Sequence, residues 1–354
     1  MISRERGRRL ASFTCGVLAL IAASTAPSAV EPARARGFTL RVGYQPYYAE
    51  AWAGVIVRGL GLYKRHLPAG DRVTFSVGLK GATVLVSALR RGDVDLAYLG
   101  LEPTLTVTQD LKQGDFRIIA VSAVSKRLCN VIVARPGAPP MNSPAALRWL
   151  AGKRIAVPRG SCAELFLDDV LARADVQPAR IFNQSIDMLA ASLELHAVDA
   201  VAVWEPTATE LVQAAGARRL IDGNAIDESG AAFVVARASL LKHHAALVKD
   251  YLAAERAAEL LLARGGAEAP VLERIESRES DLPRSVVHTA WWGEPGSPPP
   301  ATFPFIITPE VSRMLRGAAA RMAARRLLRS PTLRAGTVDD ELARAILARE
   351  EAGR

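Results

Sequence analysis

One stretch, Val73 to Thr104, constrains what this chain can fold into more than any other. A β-branched and aromatic run that ends at Val77 predicts a strand, and an apolar run from Gly81 to Gly92 predicts the helix that follows it. The apolar run Val94–Leu99 predicts a second strand. Two strands joined by a helix form a βαβ unit, and such units build parallel sheets. The sequence therefore predicts an α/β fold.

The carboxyl ends of the predicted strands are the expected ligand site. Ligands of open α/β sheets bind at that edge, where helix N-termini present free N–H groups. Side chains suited to holding a small molecule follow several predicted strands, because tyrosine and tryptophan supply aromatic walls while hydroxyl and amide groups supply hydrogen bonds. The residues of this kind are Tyr44, Gln45, Tyr47, Tyr48, Thr83, Ser161 and Trp204.

Glu102 and Glu205 also follow predicted strands, and their charge allows two interpretations. A carboxylate in the first turn of a helix stabilises the helix without touching a ligand. If instead both carboxylates face the cleft, they repel a simple inorganic anion. A solute with amine, amide or hydroxyl donors then fits better.

A second set of predicted strands, Arg154–Val157 and Asp199–Trp204 among them, repeats the outline of the first and indicates a second lobe. A proline- and glycine-rich loop at 135–143 suggests that the chain crosses between the lobes in this part of the sequence. The predicted organisation is a signal segment over 1–36, a first lobe over 37–123, a second lobe over 124–231, and a return to the first lobe with carboxyl-terminal helices over 232–354.

The formal net charge of +9 at pH 7 is concentrated at the two ends of the chain. Residues 1–37 carry six arginines against two acidic residues, and residues 311–354 carry ten arginines against five. The middle of the chain is near neutral, so its charge does not indicate nucleic-acid binding. For the arginine-rich tail, a solvated helix face is favoured over a role in membrane or partner docking.

The amino terminus has the pattern of a secretory signal. Four arginines between Arg4 and Arg9 precede the apolar run Leu10–Ala23, which small residues and Pro27 then break. The run is shorter than the ~20 residues that span a bilayer. We therefore predict a leader that is cleaved near residues 29–36, and export to the periplasm.

Outside the leader the chain has two cysteines, Cys129 and Cys162. They could pair in an oxidising compartment, but no spacing rule supports a bridge, so two unpaired, partly buried thiols are the favoured expectation. Cys162 begins a predicted helix, where a thiol could act as a nucleophile, although a small residue lining a cleft is the favoured interpretation. The sequence has no GxxxxGK[ST], GxSxG or HExxH motif and no zinc-type spacing, so no catalytic residue, cofactor or metal is predicted.

Six segments, in this order and spacing, together carry a family resemblance. They are VGYQ at 42–45, GLGLYKRH at 59–66, ALRRGDVDLAYLGLEP at 88–103, LAGKRIAVPRGSCAE at 150–164, VDAVAVWEP at 198–206 and FVVARASLLKHHAALVKDYLAA at 233–254. With these segments the chain resembles the NitT/TauT family of periplasmic substrate-binding proteins. Members of that family serve ATP-driven importers of nitrate, taurine, alkanesulfonates and related small solutes.

The resemblance implies a two-lobed periplasmic-binding-protein fold of type II, in which each lobe is a mostly parallel sheet flanked by helices and the ligand cleft lies between the lobes. Carried over by position, it adds Gly81, Ala82, Gly100 and Cys162 to the ligand contacts named above. It also implies a monomer that captures a small organic solute of sulfonate, amino or heterocycle type by lobe closure. Such a protein delivers its solute to the permease and ATPase of an ABC importer.

The alternative is an enzyme on the same fold, since relatives of that shape include thiamine-pyrimidine synthases and menaquinone-pathway enzymes. A cysteine-rich synthase motif is missing from this chain, and a leader for export is unusual for those intracellular activities. A third hypothesis is a periplasmic sensor subunit that docks a membrane partner other than an importer.

Overall fold

Strands and helices alternate along the chain in the computed structural model, which describes residues 37–67, 70–77, 81–293 and 301–353. The predicted signal segment lies outside these residues. The strands are β1 (Thr39–Gly43), β2 (Arg72–Ser76), β3 (Leu96–Gly100), β4 (Phe116–Ser125), β5 (Val131–Ala134), β6 (Arg154–Val157), β7 (Arg180–Asn183), β8 (Ala200–Val203), β9 (Arg218–Asp222) and β10 (Gly230–Arg237).

The helices connect and cover these strands. They are α1 (Trp52–Gly59), α2 (Ala82–Arg91), α3 (Leu101–Thr108), α4 (Pro144–Trp149), α5 (Cys162–Ala174), α6 (Ile186–Glu194), α7 (Thr207–Ala214), α8 (Ala238–Arg264), α9 (Ala269–Ser280), α10 (Arg284–Trp292), α11 (Pro309–Ala324) and α12 (Glu341–Ala352). Short 3₁₀ turns lie at Ala49–Ala51, Leu62–Arg65, Leu111–Gln113, Gly223–Ala225 and Gly266–Glu268. Within the described residues, no helix combines the length and the apolar character that crossing a membrane requires.

The strands form two five-stranded sheets with the same pattern. The first has the order β2-β1-β3-β10-β4, and the second has the order β7-β6-β8-β5-β9. In each sheet the first three strands are parallel, and the fourth is the antiparallel partner of its neighbours. The βαβ unit is present as predicted, with the difference that β1 lies between its two strands.

Each sheet is buried on both faces. In β3, Leu96 and Tyr98 pack on one side of the first sheet while Ala97 and Leu99 pack on the other. In β8 of the second sheet, alternate residues likewise divide between two apolar clusters. Helices therefore cover both faces, which is the arrangement that near-continuous apolar strands favour.

An arginine–aspartate pair recurs at the same place in both sheets. In the first sheet, the Asp95 carboxylate accepts hydrogen bonds from the backbone N–H of Arg41 at 3.0 Å and from its side chain at 2.6 and 2.8 Å. In the second, the Asp199 carboxylate accepts from the backbone N–H of Arg154 at 2.9 Å and from its side chain at 3.2 Å. The pairs join β1 to the residue before β3, and β6 to the residue before β8, so the second sheet repeats the first in detail.

The chain passes between the sheets over residues 126–130, because β4 belongs to the first sheet and β5 to the second. The suggestion that the loop 135–143 is the crossing is wrong, since this loop joins β5 to α4 beside the second sheet. The return lies between β9 and β10.

The arginine-rich tail is not simply a solvated face. Arg321 pairs with Asp169 of α5 at 3.0 Å, and Arg325 pairs with the same aspartate at 3.2 Å. Arg334 and Arg344 are also in ion pairs. Part of the tail's charge therefore attaches α11 to a helix beside the second sheet.

We expect Asp95→Asn to lower the free energy of unfolding by about 1–3 kcal/mol, because the neutral amide leaves the partly buried Arg41 guanidinium without its anionic partner. Chemical denaturation measures the change. The matched control is Asp93→Asn, whose pair with Arg91 is more than half exposed on both sides and should contribute less than about 0.5 kcal/mol. Equal losses in the two variants would show that the repeated pair does not hold the strands.

Candidate functional site

A cavity of about 160 Å³ lies between the carboxyl ends of the two sheets. Residues that follow strands of both sheets line it. From the first sheet come Tyr48, Glu50, Gly81, Ala82, Thr83 and Pro103, and from the second come Pro158, Arg159, Gly160, Ser161, Cys162, Ser185, Ile186, Asp187 and Trp204.

Three helices begin at this cavity. The starts of α2, α5 and α6 all contribute lining residues, and these helices are 10, 13 and 9 residues long. The N-cap residues of α2 and α6, Gly81 and Ser185, make no side-chain capping hydrogen bond. Because the first N–H groups of a helix have no intrahelical acceptor and carry partial positive charge, this end of the cavity suits an anion.

Neighbouring side chains hold these walls in place. The Gln45 side-chain oxygen accepts a hydrogen bond from the Gly81 N–H at 3.2 Å, which fixes the start of α2. Ser161 donates from its hydroxyl to the Pro158 carbonyl at 2.6 Å and accepts from the Glu164 N–H at 3.3 Å.

The rings of Tyr48 and Trp204 meet edge to face across the cavity wall. Their centroids are 4.7 Å apart and their planes are inclined by 88°. Each residue follows a strand of a different sheet. Close by, the Ala49 N–H donates to the Glu205 carbonyl at 3.1 Å, so aromatic and backbone contacts join the same two segments.

Cys129 and Cys162 form a disulfide, with their Cα atoms 5.8 Å apart. The expectation of two unpaired thiols is wrong. Cys129 lies in the segment that crosses between the sheets, and Cys162 is the first residue of α5, so the fold brings together positions whose separation of 33 residues gave no sign of contact. The bond fixes the start of α5 beside the crossing segment and leaves Cys162 without a free thiol.

Glu50 lies beside this disulfide. Its side chain lines the cavity, the residue is only 8% exposed, and its Oε2 atom has no hydrogen-bond partner. Burial raises the pKa of Glu50 to about 7. Gly100 makes room for it, because a Cβ at that position would lie 2.8 Å from Glu50 Oε1.

Of the candidate residues, seven line the cavity. They are Tyr48, Gly81, Ala82, Thr83, Ser161, Cys162 and Trp204. Gln45 and Gly100 line a small adjoining void of about 20 Å³, and Tyr47 lines a neighbouring groove that shares Tyr48, Ile186 and Asp187 with the cavity.

The structure does not bring Tyr44 to the cavity. Its ring is fully buried in the core of the first sheet, and its hydroxyl donates to Glu279 at 2.9 Å. Tyr44 and Tyr48 both follow β1, but only the second of them reaches the edge where the sheets face each other.

Glu205 and Glu102 also lie away from the cavity. The Glu205 carboxylate accepts from the Thr209 N–H at 3.1 Å and pairs with Arg219, so its role at the start of α7 is structural. Glu102 lies behind the disulfide in a void of about 10 Å³, and burial raises its pKa to about 8. For both residues the hypothesis that they face the cleft is not supported.

Sequence reasoning missed Glu50 and the start of α6. Glu50 lies two residues after Tyr48, so its position beyond the same strand end could have marked it as a candidate. The start of α6 follows β7, and the rule that ligand residues lie beyond strand ends could have found Ser185 and Asp187.

Solved structures of low sequence identity share this fold. The alkanesulfonate-binding protein SsuA from Xanthomonas axonopodis pv. citri, bound to MOPS, is 24% identical, with 86% of this chain and 99% of that chain covered and a TM-score of 0.69. The aliphatic sulphonate-binding protein SsuA from Escherichia coli is 21% identical, with 83% and 89% covered and a TM-score of 0.69. A desulfurization enzyme, DszB, is 17% identical, with 88% and 99% covered and a TM-score of 0.64.

Two α/β lobes with strand ends that face a shared cavity define the class of two-lobed periplasmic binding proteins, as predicted. A family model described as "ABC transporter, phosphonate, periplasmic substrate-binding protein" matches residues 70–273, more than half of the chain. The chain belongs to this family. No curated protein sequence matches it.

We expect the disulfide to contribute about 2–4 kcal/mol to the free energy of unfolding, because it closes a loop of 33 residues in the unfolded chain. Chemical denaturation of Cys129→Ser/Cys162→Ser, compared with wild type before and after reduction, measures this. Reduced wild type should match the double variant. A free thiol at Cys129 or Cys162 in protein purified under air would contradict the bond.

Stability should fall as the pH rises, because the folded state holds a proton on Glu102 that the unfolded chain releases at lower pH. The pKa of Glu102 is raised by burial to about 8, so between about pH 5 and pH 8 this group lowers the free energy of unfolding by up to about 1.4 kcal/mol per pH unit. Glu50 and Glu255 act in the same direction, with pKa values of about 7 and about 8.

Denaturation curves recorded across this pH range give the free energy of unfolding at each pH. Plotted against pH, this free energy should therefore fall with a shallower slope for Glu102→Gln than for wild type. The exposed Glu268→Gln serves as the control and should leave the slope unchanged. Identical slopes in wild type and Glu102→Gln would show that Glu102 is ionised in the folded protein.

Proposed function

We propose that this protein is an exported solute-binding protein that captures a small organic anion between its two lobes and delivers it to the permease and ATPase of an ABC importer. The observation that carries the proposal is the cavity, whose walls come from the strand ends of both sheets. A ligand there contacts both lobes at once, so it favours whichever arrangement brings them together.

The chemistry of the walls favours an anionic group with several oxygen acceptors. Three helix starts line the cavity together with Thr83, which carries a hydroxyl, and Trp204, which carries an indole N–H, and each of these groups can donate hydrogen bonds. The Trp204 Nε1 atom is buried and has no partner in the protein. Sulfonates and phosphonates are the anions named for the similar structures and for the family, and both have this acceptor-rich shape.

A binding role fits the cavity better than catalysis does. Its cysteine is in a disulfide, and none of the described residues that line it is a histidine. An enzyme remains the second candidate because the desulfurization enzyme DszB shares the fold. The export signal that the sequence predicts supports the binding role, since an importer takes its solute from outside the cytoplasm.

Calorimetry tests the proposal. Protein freed of carried-over ligand by unfolding and refolding is titrated with ethanesulfonate, propanesulfonate, methylphosphonate and butyrate. We expect one of the sulfonates or the phosphonate to bind, and mass spectrometry to recover it unchanged. No binding of any of them would argue against the proposal, and conversion of a bound solute would favour the enzyme.

A substitution locates the binding to this cavity. Trp204→Phe keeps an aromatic ring but removes the N–H donor, so the dissociation constant should rise about tenfold. Trp149→Phe is the matched control, because Trp149 lies in α4 and does not line the cavity. Equal affinities of wild type and Trp204→Phe would place the ligand elsewhere.

A further inference from the structure

Glu50 lines the cavity, and one of its two carboxyl oxygens has no hydrogen-bond partner. The residue is 8% exposed, and Oε2 is buried without a hydrogen-bond partner. A carboxylate oxygen of Glu50 and the sulfur atoms of Cys129 and Cys162 lie within 4.8 Å of one another. The disulfide occupies both sulfur atoms, so this cluster is not a metal site.

The backbone around Glu50 is held from both lobes. The Ser122 hydroxyl of β4 donates to the Glu50 carbonyl at 2.9 Å, and the preceding residue, Ala49, donates its N–H to the Glu205 carbonyl. The side chain of Glu50 then places a carboxylate oxygen within 4.8 Å of the sulfur of Cys162, the first residue of α5. Its carboxyl therefore meets whatever occupies the cavity beside the start of α5.

Within the part of the chain that the structure describes, no cation pairs with this carboxyl. Among the described residues, the basic side chain that lines the cavity is Arg159, which is mostly exposed and pairs with Glu164 at 3.7 Å. Burial accordingly raises the pKa of Glu50 to about 7. Of the titratable groups that the structure describes, the others that line the same cavity or its adjoining void are the Tyr48 and Tyr98 hydroxyls, the latter bonded to Glu255, and Asp187 at the start of α6. Glu102 and Glu228 line the separate void behind the disulfide.

An anionic ligand and an ionised Glu50 would repel each other in this cavity, whereas a protonated Glu50 has an O–H to donate. Apart from Asp187, the remaining walls are rich in hydrogen-bond donors, and the neutral acid adds one more donor for an anion whereas the carboxylate does not. The position of Glu50 near the start of α5 brings its O–H to the end of the cavity that suits the anion.

Building on the function proposed above, we propose that Glu50 binds the anionic group of the ligand as a neutral acid, through an O–H···O hydrogen bond, so that capture of a small organic anion is coupled to uptake of one proton. Above neutral pH the proton comes from the solvent and is held between the Glu50 carboxyl and a ligand oxygen. When the ligand leaves, the proton returns to the solvent.

The proposal fixes the sign of the pH dependence. Ligand binding stabilises the protonated form of Glu50, so by linkage protonation strengthens binding. The dissociation constant of an anion should be constant below about pH 6 and should rise about tenfold per pH unit well above pH 7. An ammonium ligand held by ionised Glu50 would give the opposite sign.

Isothermal titration calorimetry with ethanesulfonate and propanesulfonate makes the measurement, because a sulfonate stays ionised throughout this range and any exchanged proton belongs to the protein. Titrations at pH 6 and pH 8.5, each in two buffers of different ionisation enthalpy, count the protons. We expect no uptake at pH 6 and close to one proton per ligand at pH 8.5. This count uses wild-type protein and needs no variant.

Glu50→Gln keeps the shape of the side chain and retains a donor at every pH. The dissociation constant of the same sulfonate should not change with pH in this variant, and binding should exchange no proton. At pH 8.5 the variant should therefore bind at least tenfold more tightly than wild type. Glu102→Gln is the matched control: its carboxyl is also buried and lies beside the same disulfide but does not line the cavity, so it should keep the wild-type profile.

The possible results separate the inference from the function on which it rests. Sulfonate binding that is independent of pH, or that releases a proton, overturns the role of Glu50 and leaves the binding function standing. The role of Glu50 is also overturned if the dissociation constant becomes independent of pH in Glu102→Gln but not in Glu50→Gln. If methylphosphonate binds and neither sulfonate does, the difference in proton uptake between wild type and Glu50→Gln decides in the same way, because the ligand's own protons cancel. If none of these anions binds at either pH, the anion-binding function fails and the inference fails with it.

Discussion

The pairing of an arginine with an aspartate in each sheet is the interaction on which the site depends. Arg41–Asp95 and Arg154–Asp199 fix two neighbouring parallel strands in each sheet, β1 against β3 and β6 against β8. A slip of one residue along a strand would exchange the faces of all its side chains. Because the register is fixed, the strand ends and the helices that follow them meet at one edge of each sheet, and the two edges together enclose the cavity.

The residues that hold the walls of the cavity in place differ from the residues that have unpaired polar atoms. Gln45 and the Cys129–Cys162 disulfide hold the starts of α2 and α5. Glu50 and Trp204 keep buried polar atoms without partners in the protein. Buried polar groups are nearly always hydrogen-bonded in folded proteins, so such exceptions are reasonable positions for a ligand to complete.

The sequence predicted the architecture well because the strands are apolar on both faces and the helices between them are clearly bounded. The rule that ligands bind beyond the carboxyl ends of the strands located Gly81–Thr83, Ser161 and Trp204 at the cavity. It could not separate Tyr48 from Tyr44, or Glu50 from Glu102, because a sequence does not show which way a side chain turns after a strand ends. The disulfide was missed for a related reason: contact between Cys129 and Cys162 exists only once the crossing segment has packed against α5.

The edge-to-face contact of Tyr48 with Trp204 gives the protein a built-in optical reporter. The two rings belong to segments that follow different sheets, so a change in the arrangement of these segments would change the contact between the rings. Indole fluorescence responds to such a change in its surroundings, and any change at this contact on addition of a ligand can therefore be followed by stopped-flow spectroscopy on unlabelled protein.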